Sequence, residues 1–86
     1  MAFRLTFGRI YYRTARRIPP DVLPAVRATF DALGSAVDLP GPEDLADVIP
    51  PSLRVWRRRA RASAWWVYFT VECDGVDIVA VAVPMY

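Results

Sequence analysis

Five arginines fall within eight residues, at Arg54, Arg57, Arg58, Arg59 and Arg61. A guanidinium group is planar, permanently charged and able to grip a phosphate through two parallel hydrogen bonds, so this density marks a surface for a polyanion. The bland alternative is an exposed edge strand on which charge discourages aggregation, and five arginines in eight residues exceed what that needs. On an extended strand Arg57, Arg59 and Arg61 share one face and Arg58 stands on the other. Trp65 and Trp66 follow, and an aromatic ring stacked on a nucleobase contributes about 1–3 kcal/mol. Trp65 is expected in the core, Trp66 on the opposite side of the same strand, and Trp56 between core and rim. Arg13, Arg16 and Arg17 form a second basic group, suited either to nucleic acid or to a solvated helix face. Arg54, Arg58, Arg13 and Arg17 are the candidate nucleic-acid contacts. No cysteine–histidine metal cluster, glycine-rich phosphate loop or nucleophile triad is present, and no cofactor is implied.

The net charge of +2 conceals a strong segregation. Residues 1–20 hold five arginines and no acid, residues 21–53 hold six acids and one arginine, and residues 72–77 hold three acids. Clustered positive charge attracts phosphate chains through counterion release, whatever the total. Every basic residue is arginine, which fits both bidentate phosphate contacts and a bias toward GC-rich codons. Eighty-six residues, 55% of them apolar, make one domain spanning 1–86 with a dense core, so disorder is not expected. The single Cys73 excludes an internal disulfide framework. The N-terminal residues lack the apolar core of a signal peptide, and the longest apolar run, Ile78 to Tyr86, is too short for a membrane span. A cytoplasmic protein without membrane contact is the expectation.

The elements that must position these groups follow from periodicity. Phe3-Arg-Leu-Thr-Phe7 alternates apolar and polar residues, as a strand with one buried face does. From Arg9 to Ile18, residues Ile10, Thr14 and Ile18 recur every fourth place beside Tyr11 and Ala15, predicting a short helix with one apolar stripe. Pro19-Pro20 ends it. Asp21 is placed as the N-cap of a second helix, with Pro24 in its first turn and Val22, Val26, Phe30, Leu33 and Val37 along its apolar face. Residues 38–51, with four prolines and four acids, read as an irregular connection in which Glu43 to Val48 forms one helical turn. The last third is rich in aromatic and β-branched residues and reads as three strands.

Asp74-Gly75 is expected to be a two-residue hairpin turn with positive φ at both positions. That register sets Cys73, Val71, Phe69, Val67 and Trp65 on the core face, opposite Val76, Ile78, Ala80, Ala82 and Pro84. The other face then carries Glu72 with Asp77, Thr70 with Val79, Tyr68 with Val81, and Trp66 with Val83. The end formed by Trp66, Tyr68, Val81 and Val83 is too apolar for a free surface, so it is expected to be a partner interface or to be covered by the first strand or the long loop.

The fold class expected is α+β, in the order β-α-α-β-β-β, with a two-helix hairpin packed on a small antiparallel-rich sheet. This order, together with Phe3-Arg-Leu-Thr-Phe7, Arg16-Arg-Ile-Pro-Pro-Asp-Val22, Trp65-Trp-Val-Tyr-Phe-Thr-Val71 and Val79-Ala-Val-Ala-Val83, resembles the RelE/ParE toxin superfamily. The resemblance covers nearly the whole chain through loose motifs. It implies a toxin of a bacterial type II toxin–antitoxin system, with a cognate antitoxin as partner and either ribosome-bound mRNA or DNA gyrase as target. By position it makes Arg57, Arg59, Arg61 and the terminal Tyr86 the catalytic candidates of a ribosome-dependent endoribonuclease. Such cleavage deprotonates a 2′-hydroxyl, stabilises charge on the phosphate and protonates the leaving oxygen. A tyrosine moves a proton near neutral pH only where positive neighbours lower its pKa from about 10. The chain departs from the family pattern at Trp66, where relatives place an arginine, and has no histidine or lysine. Glu43, Asp47 and Glu72 are the remaining candidate bases, and none matches a motif. These departures leave open a binding-only inhibitor of gyrase or a non-toxic interaction module of the same fold.

Overall fold

The computed structural model describes residues 3–47 and 55–84. Strand β1 (Arg4–Phe7) is followed by helices α1 (Arg9–Ala15) and α2 (Leu23–Gly34), then by strands β2 (Leu45–Asp47), β3 (Val55–Arg59), β4 (Trp66–Val71) and β5 (Gly75–Ala82). The five strands form one sheet in the order β1-β5-β4-β3-β2. Only β1 with β5 is parallel; the other three pairings are antiparallel. The α+β class and the helix pair stand as expected. The helical turn expected within Glu43 to Val48 does not form: Leu45–Asp47 is a strand on the edge of β3, with Leu45 opposite Arg57.

Both helices lie on one side of the sheet. Val67, Phe69, Val76, Ile78 and Val81 are fully buried there, packed with Ile18 and with Val26, Phe30 and Leu33 of α2. Phe7 ties β1 to both helices, its ring centroid 4.9 Å from Tyr11 and 5.4 Å from Phe30. Where β1 stops, α1 takes over the edge of β5. The Gly8 amide donates to the Ile78 carbonyl at 2.9 Å, and the Val81 amide donates to Thr14 Oγ1 at 3.2 Å. An otherwise open strand edge is thus satisfied by a helix side chain.

Several local expectations are corrected. Helix α1 ends at Ala15, and the Ile18 amide reaches the Ala15 carbonyl at 3.2 Å, a tightened last turn before the prolines. The stripe therefore breaks: Ile18 is buried, but Ile10 is 55% exposed. Asp21 does not cap α2. Val22 is the N-cap without a side-chain bond, and the Pro19 carbonyl instead accepts from the amides of Val22 and Leu23. Val37 lies past the helix end and is exposed.

The hairpin differs most. The Glu72 amide donates to the Gly75 carbonyl at 2.8 Å, which makes Cys73 and Asp74 the turn residues. No described glycine has positive φ, and Ala62 is the one described non-glycine residue that does. Gly75 is instead the first residue of β5, where β1 approaches so closely that a Cβ would lie 3.3 Å from the Arg4 carbonyl oxygen. Val71 now pairs with Val76 and Phe69 with Ile78. This two-residue shift preserves the faces. Between Tyr68 and Phe69, however, the register slips by one on β5, so Val67 pairs with Val81. Beyond that bulge the faces exchange: Val81 turns into the core, while Ala80 and Ala82 move to the helix-free side opposite Tyr68 and Trp66.

These burial differences give a direct stability contrast. Ile18→Ala is expected to cost about 2–5 kcal/mol, whereas Ile10→Ala should stay within about 0.5 kcal/mol. Urea denaturation of both variants checks this, and equal losses would restore the unbroken α1 stripe.

Candidate nucleic-acid interface

Strand β3 distributes its arginines by alternation. Trp56 pairs with Phe69, and Arg58 with Val67, on the helix side of the sheet. Arg57 pairs with Tyr68, and Arg59 with Trp66, on the other side. Cross-strand partners share a face, so the buried Phe69 and Val67 determine which arginines turn inward. Trp56 and Trp65 pack against the core cluster from its margin.

The inward arginine is fully committed. Arg58 Nε donates to Asp44 Oδ1 at 2.6 Å and Arg58 Nη2 to Asp44 Oδ2 at 2.9 Å, a bidentate pair. The Gly41 amide donates to the same Oδ2 at 2.6 Å, and Glu43 stands 3.9 Å from Arg58 Nη1. The side chains of Arg58 and Asp44 are 11% and 0% exposed. Arg58, a candidate nucleic-acid contact on its type alone, is instead the clamp that holds the acidic 41–44 loop and thereby β2 against β3.

The outward side is different in kind. The Arg57 guanidinium carbon lies 4.7 Å from the centroid of the Trp66 ring, a cation–π contact between diagonal neighbours on β3 and β4. Trp66 and Tyr68 are half-buried on this face and Arg59 is exposed. Farther along the same face Thr6 Oγ1 donates to Asp77 Oδ1 at 2.7 Å, joining β1 to β5. The result is a face with two guanidinium groups, an indole and a phenol, able to offer both charge to phosphates and flat surfaces to bases.

Arg61 does not share the strand with Arg57 and Arg59, because β3 ends at Arg59. It sits in the 60–65 connection, closed by the Ala60 amide donating to the Trp65 carbonyl at 2.8 Å, and is exposed. Ala62 beside it has φ of 60°, a left-handed conformation that costs an L-residue about 1–2 kcal/mol. Arg13 lies in the last turn of α1 and Arg17 just after it, both exposed and away from β3. Arg54 and Tyr86 lie outside the described residues. The expected interface of Trp66, Tyr68, Val81 and Val83 is not a single patch: the bulge buries Val81, and Val83 lies beyond the end of β5, 43% exposed. Among the described residues no group of three or more metal-binding side chains occurs, and no helix is long and apolar enough to cross a membrane.

Sequence reasoning missed Asp44 and the bulge. A signal for the first existed: Gly41 to Asp44 is an acidic turn, and an arginine alternating onto an apolar face demands a counter-charge. Nothing in Val79-Ala-Val-Ala-Val83 marks the bulge, because either face of that run is apolar.

The chain superposes on a chain of the crystal structure of the archaeal RelE–RelB complex from Pyrococcus horikoshii, with a TM-score of 0.67 over 94% of this chain and 93% of that one. The fold is that of RelE. Sequence identity is 16%, so the likeness concerns the fold. No protein-family model matches the chain, and no curated protein matches it in sequence. The likeness extends to the pair of helices and the five-stranded sheet.

Removing Asp44 tests the clamp. Asp44→Ala leaves a buried guanidinium without its counter-charge and should lower stability by about 3–5 kcal/mol. Exchanging both partners, as Arg58→Met with Asp44→Leu, should recover most of that loss in denaturant unfolding.

Proposed function

We propose that this chain is the toxin half of a bacterial type II toxin–antitoxin pair, acting in the cytoplasm and inhibiting translation by engaging ribosome-bound mRNA. The observation that carries the reading is the helix-free face of the sheet, where Arg57 and Arg59 stand beside Trp66 and Tyr68. Guanidinium groups grip phosphates bidentately, and aromatic rings stack on unpaired bases, so the combination suits single-stranded RNA. In the cleavage form of this reading, Arg57 and Arg59 stabilise the charge that grows on the scissile phosphate, and Arg61 extends the basic rim. Tyr86 is the proposed proton-transfer group. The fold shared with RelE, solved in complex with RelB, supports an antitoxin as the natural partner.

A second reading has its own support. The chain lacks histidine and lysine, and Trp66 occupies the place where the family resemblance puts an arginine. Inhibition by binding alone needs no general base, so a ParE-like inhibitor of DNA gyrase fits that residue set. A supercoiling assay separates the two: no inhibition at high protein excess removes the gyrase reading.

For the leading proposal, purified protein added to a cell-free translation reaction should stop synthesis and yield cleaved or stalled mRNA. Normal synthesis with intact mRNA would overturn it. On single-stranded RNA, Arg57→Gln with Arg59→Gln should reduce the slope of log affinity against log salt by about 1.4, roughly 0.7 for each phosphate that is no longer neutralised.

A further inference from the structure

The sheet has β1 and β2 as its outer strands. Along β1 the backbone groups alternate in direction. The Arg4 amide donates to the Asp74 carbonyl at 3.0 Å and the Gly8 amide to the Ile78 carbonyl at 2.9 Å, so the even-numbered residues turn their backbone groups toward β5. Phe3, Leu5 and Phe7 turn theirs outward. The Phe3 amide is taken by the Gly34 carbonyl at 2.8 Å. The amides and carbonyls of Leu5 and Phe7 meet no described residue, and apolar surface flanks them, with Phe7 36% and Ile10 55% exposed. Such a row is a template for another strand. On the helix-free face beside it stand two charges that make no ion pair among the described residues, Arg4 and Asp77. Arg4 is exposed. Asp77 accepts from Thr6 through Oδ1, while its Oδ2 would lie 3.7 Å from a Cβ built on Gly8.

We infer that β1 pairs antiparallel with β1 of a second copy of this chain, joining the two sheets across a two-fold axis at Thr6. In a parallel ladder the two strands present different residues to each other, so identical edges close on a two-fold axis only when antiparallel. Only outward-facing residues exchange bonds, which leaves Leu5 opposite Leu5, Leu5 opposite Phe7, or Phe7 opposite Phe7. The first register also calls on the Phe3 amide, already bonded to Gly34, and the last runs the strand into α1 at Arg9. Leu5 opposite Phe7 uses every free group on both copies. That register sets Arg4 of the second copy across from Gly8. Glycine leaves no side chain in the way, and the guanidinium passes over it to Asp77 Oδ2, an ion pair that the symmetry repeats. Arginine on an edge strand otherwise discourages pairing. Here it admits a strand that brings a carboxylate beside Gly8, and this chain's own edge does so. The axis runs perpendicular to the sheet, so both helix pairs lie on one side and both faces bearing Arg57 and Arg59 on the other. The contact is small, of the kind that forms weak, transient pairs. The pairing does not depend on which polyanion the arginine face binds.

Sedimentation equilibrium of the purified chain over a concentration series should show the mass rising from 9.7 kDa toward twice that value. Arg4→Glu and Asp77→Arg should each weaken the pair by roughly tenfold or more, and the two together should restore it, because the charges then meet with their signs exchanged. With Cys73→Ser in place, Thr6→Cys should cross-link on oxidation. Antiparallel partners that exchange no backbone bond have Cα atoms about 4.5 Å apart, within the span of a disulfide. Arg4→Cys should not cross-link, its two copies lying about 13 Å apart along the strands. A mass that stays at 9.7 kDa throughout overturns the inference, as does a dimer indifferent to both charge reversals, or one that Arg4→Cys cross-links as readily as Thr6→Cys. So does a monomer whose Leu5 and Phe7 amides gain hydrogen-exchange protection only when a strand of another protein is added.

Discussion

Strand β3 must send alternate side chains to opposite sides of the sheet, and the pairing with β4 determines which ones go where. Phe69 and Val67 are fully buried beneath α2, so Trp56 and Arg58 are carried to the helix side with them. Arg57 and Arg59 are left on the side the helices do not occupy. Slipping this pairing by one residue would drive two guanidinium groups into the apolar layer, at a desolvation cost of several kcal/mol per ion. Burial of two apolar residues on β4 therefore dictates the direction of every charge on its neighbour.

That same constraint creates a problem which the acidic loop solves. Arg58 is placed where little water reaches it, and the 41–44 turn delivers Asp44 as a bidentate counter-charge with a backbone amide to help hold it. In being held, the loop brings Leu45–Asp47 alongside β3 as an edge strand. One buried ion pair thus links the sheet edge to the separation of inward from outward arginines. Electrostatics here serves the arrangement more than the stability, since a buried pair seldom outperforms well-packed apolar groups of equal volume.

Much of this was legible in the residues themselves. Alternation in Phe3 to Phe7 and in the last third, the double proline at 19–20 and the apolar face Val26, Phe30, Leu33 all correspond to elements of the fold, because each is set by local periodicity or by a breaker. The splitting of Arg57 and Arg59 from Arg58 was legible for the same reason. What escaped depends on partners distant in sequence. Asp74-Gly75 carries a strong turn signal, yet Gly75 opens β5, where a Cβ would stand a tight 3.3 Å from the carbonyl oxygen of Arg4, seventy-one positions earlier in the chain. The bulge that buries Val81 answers to Thr14 on α1 and to the end of β1, neither visible in a run of alternating valine and alanine. Asp44 looked like one acid among several, and only the fold shows that it faces Arg58.

The pairing of β3 with β4 is open to direct observation by nuclear Overhauser effects between backbone protons of the two strands. The account predicts cross-strand proximities placing Trp56 opposite Phe69 and Arg58 opposite Val67. A set displaced by one residue, with Arg57 or Arg59 opposite Val67, would contradict it and dissolve both the arginine face and the clamp.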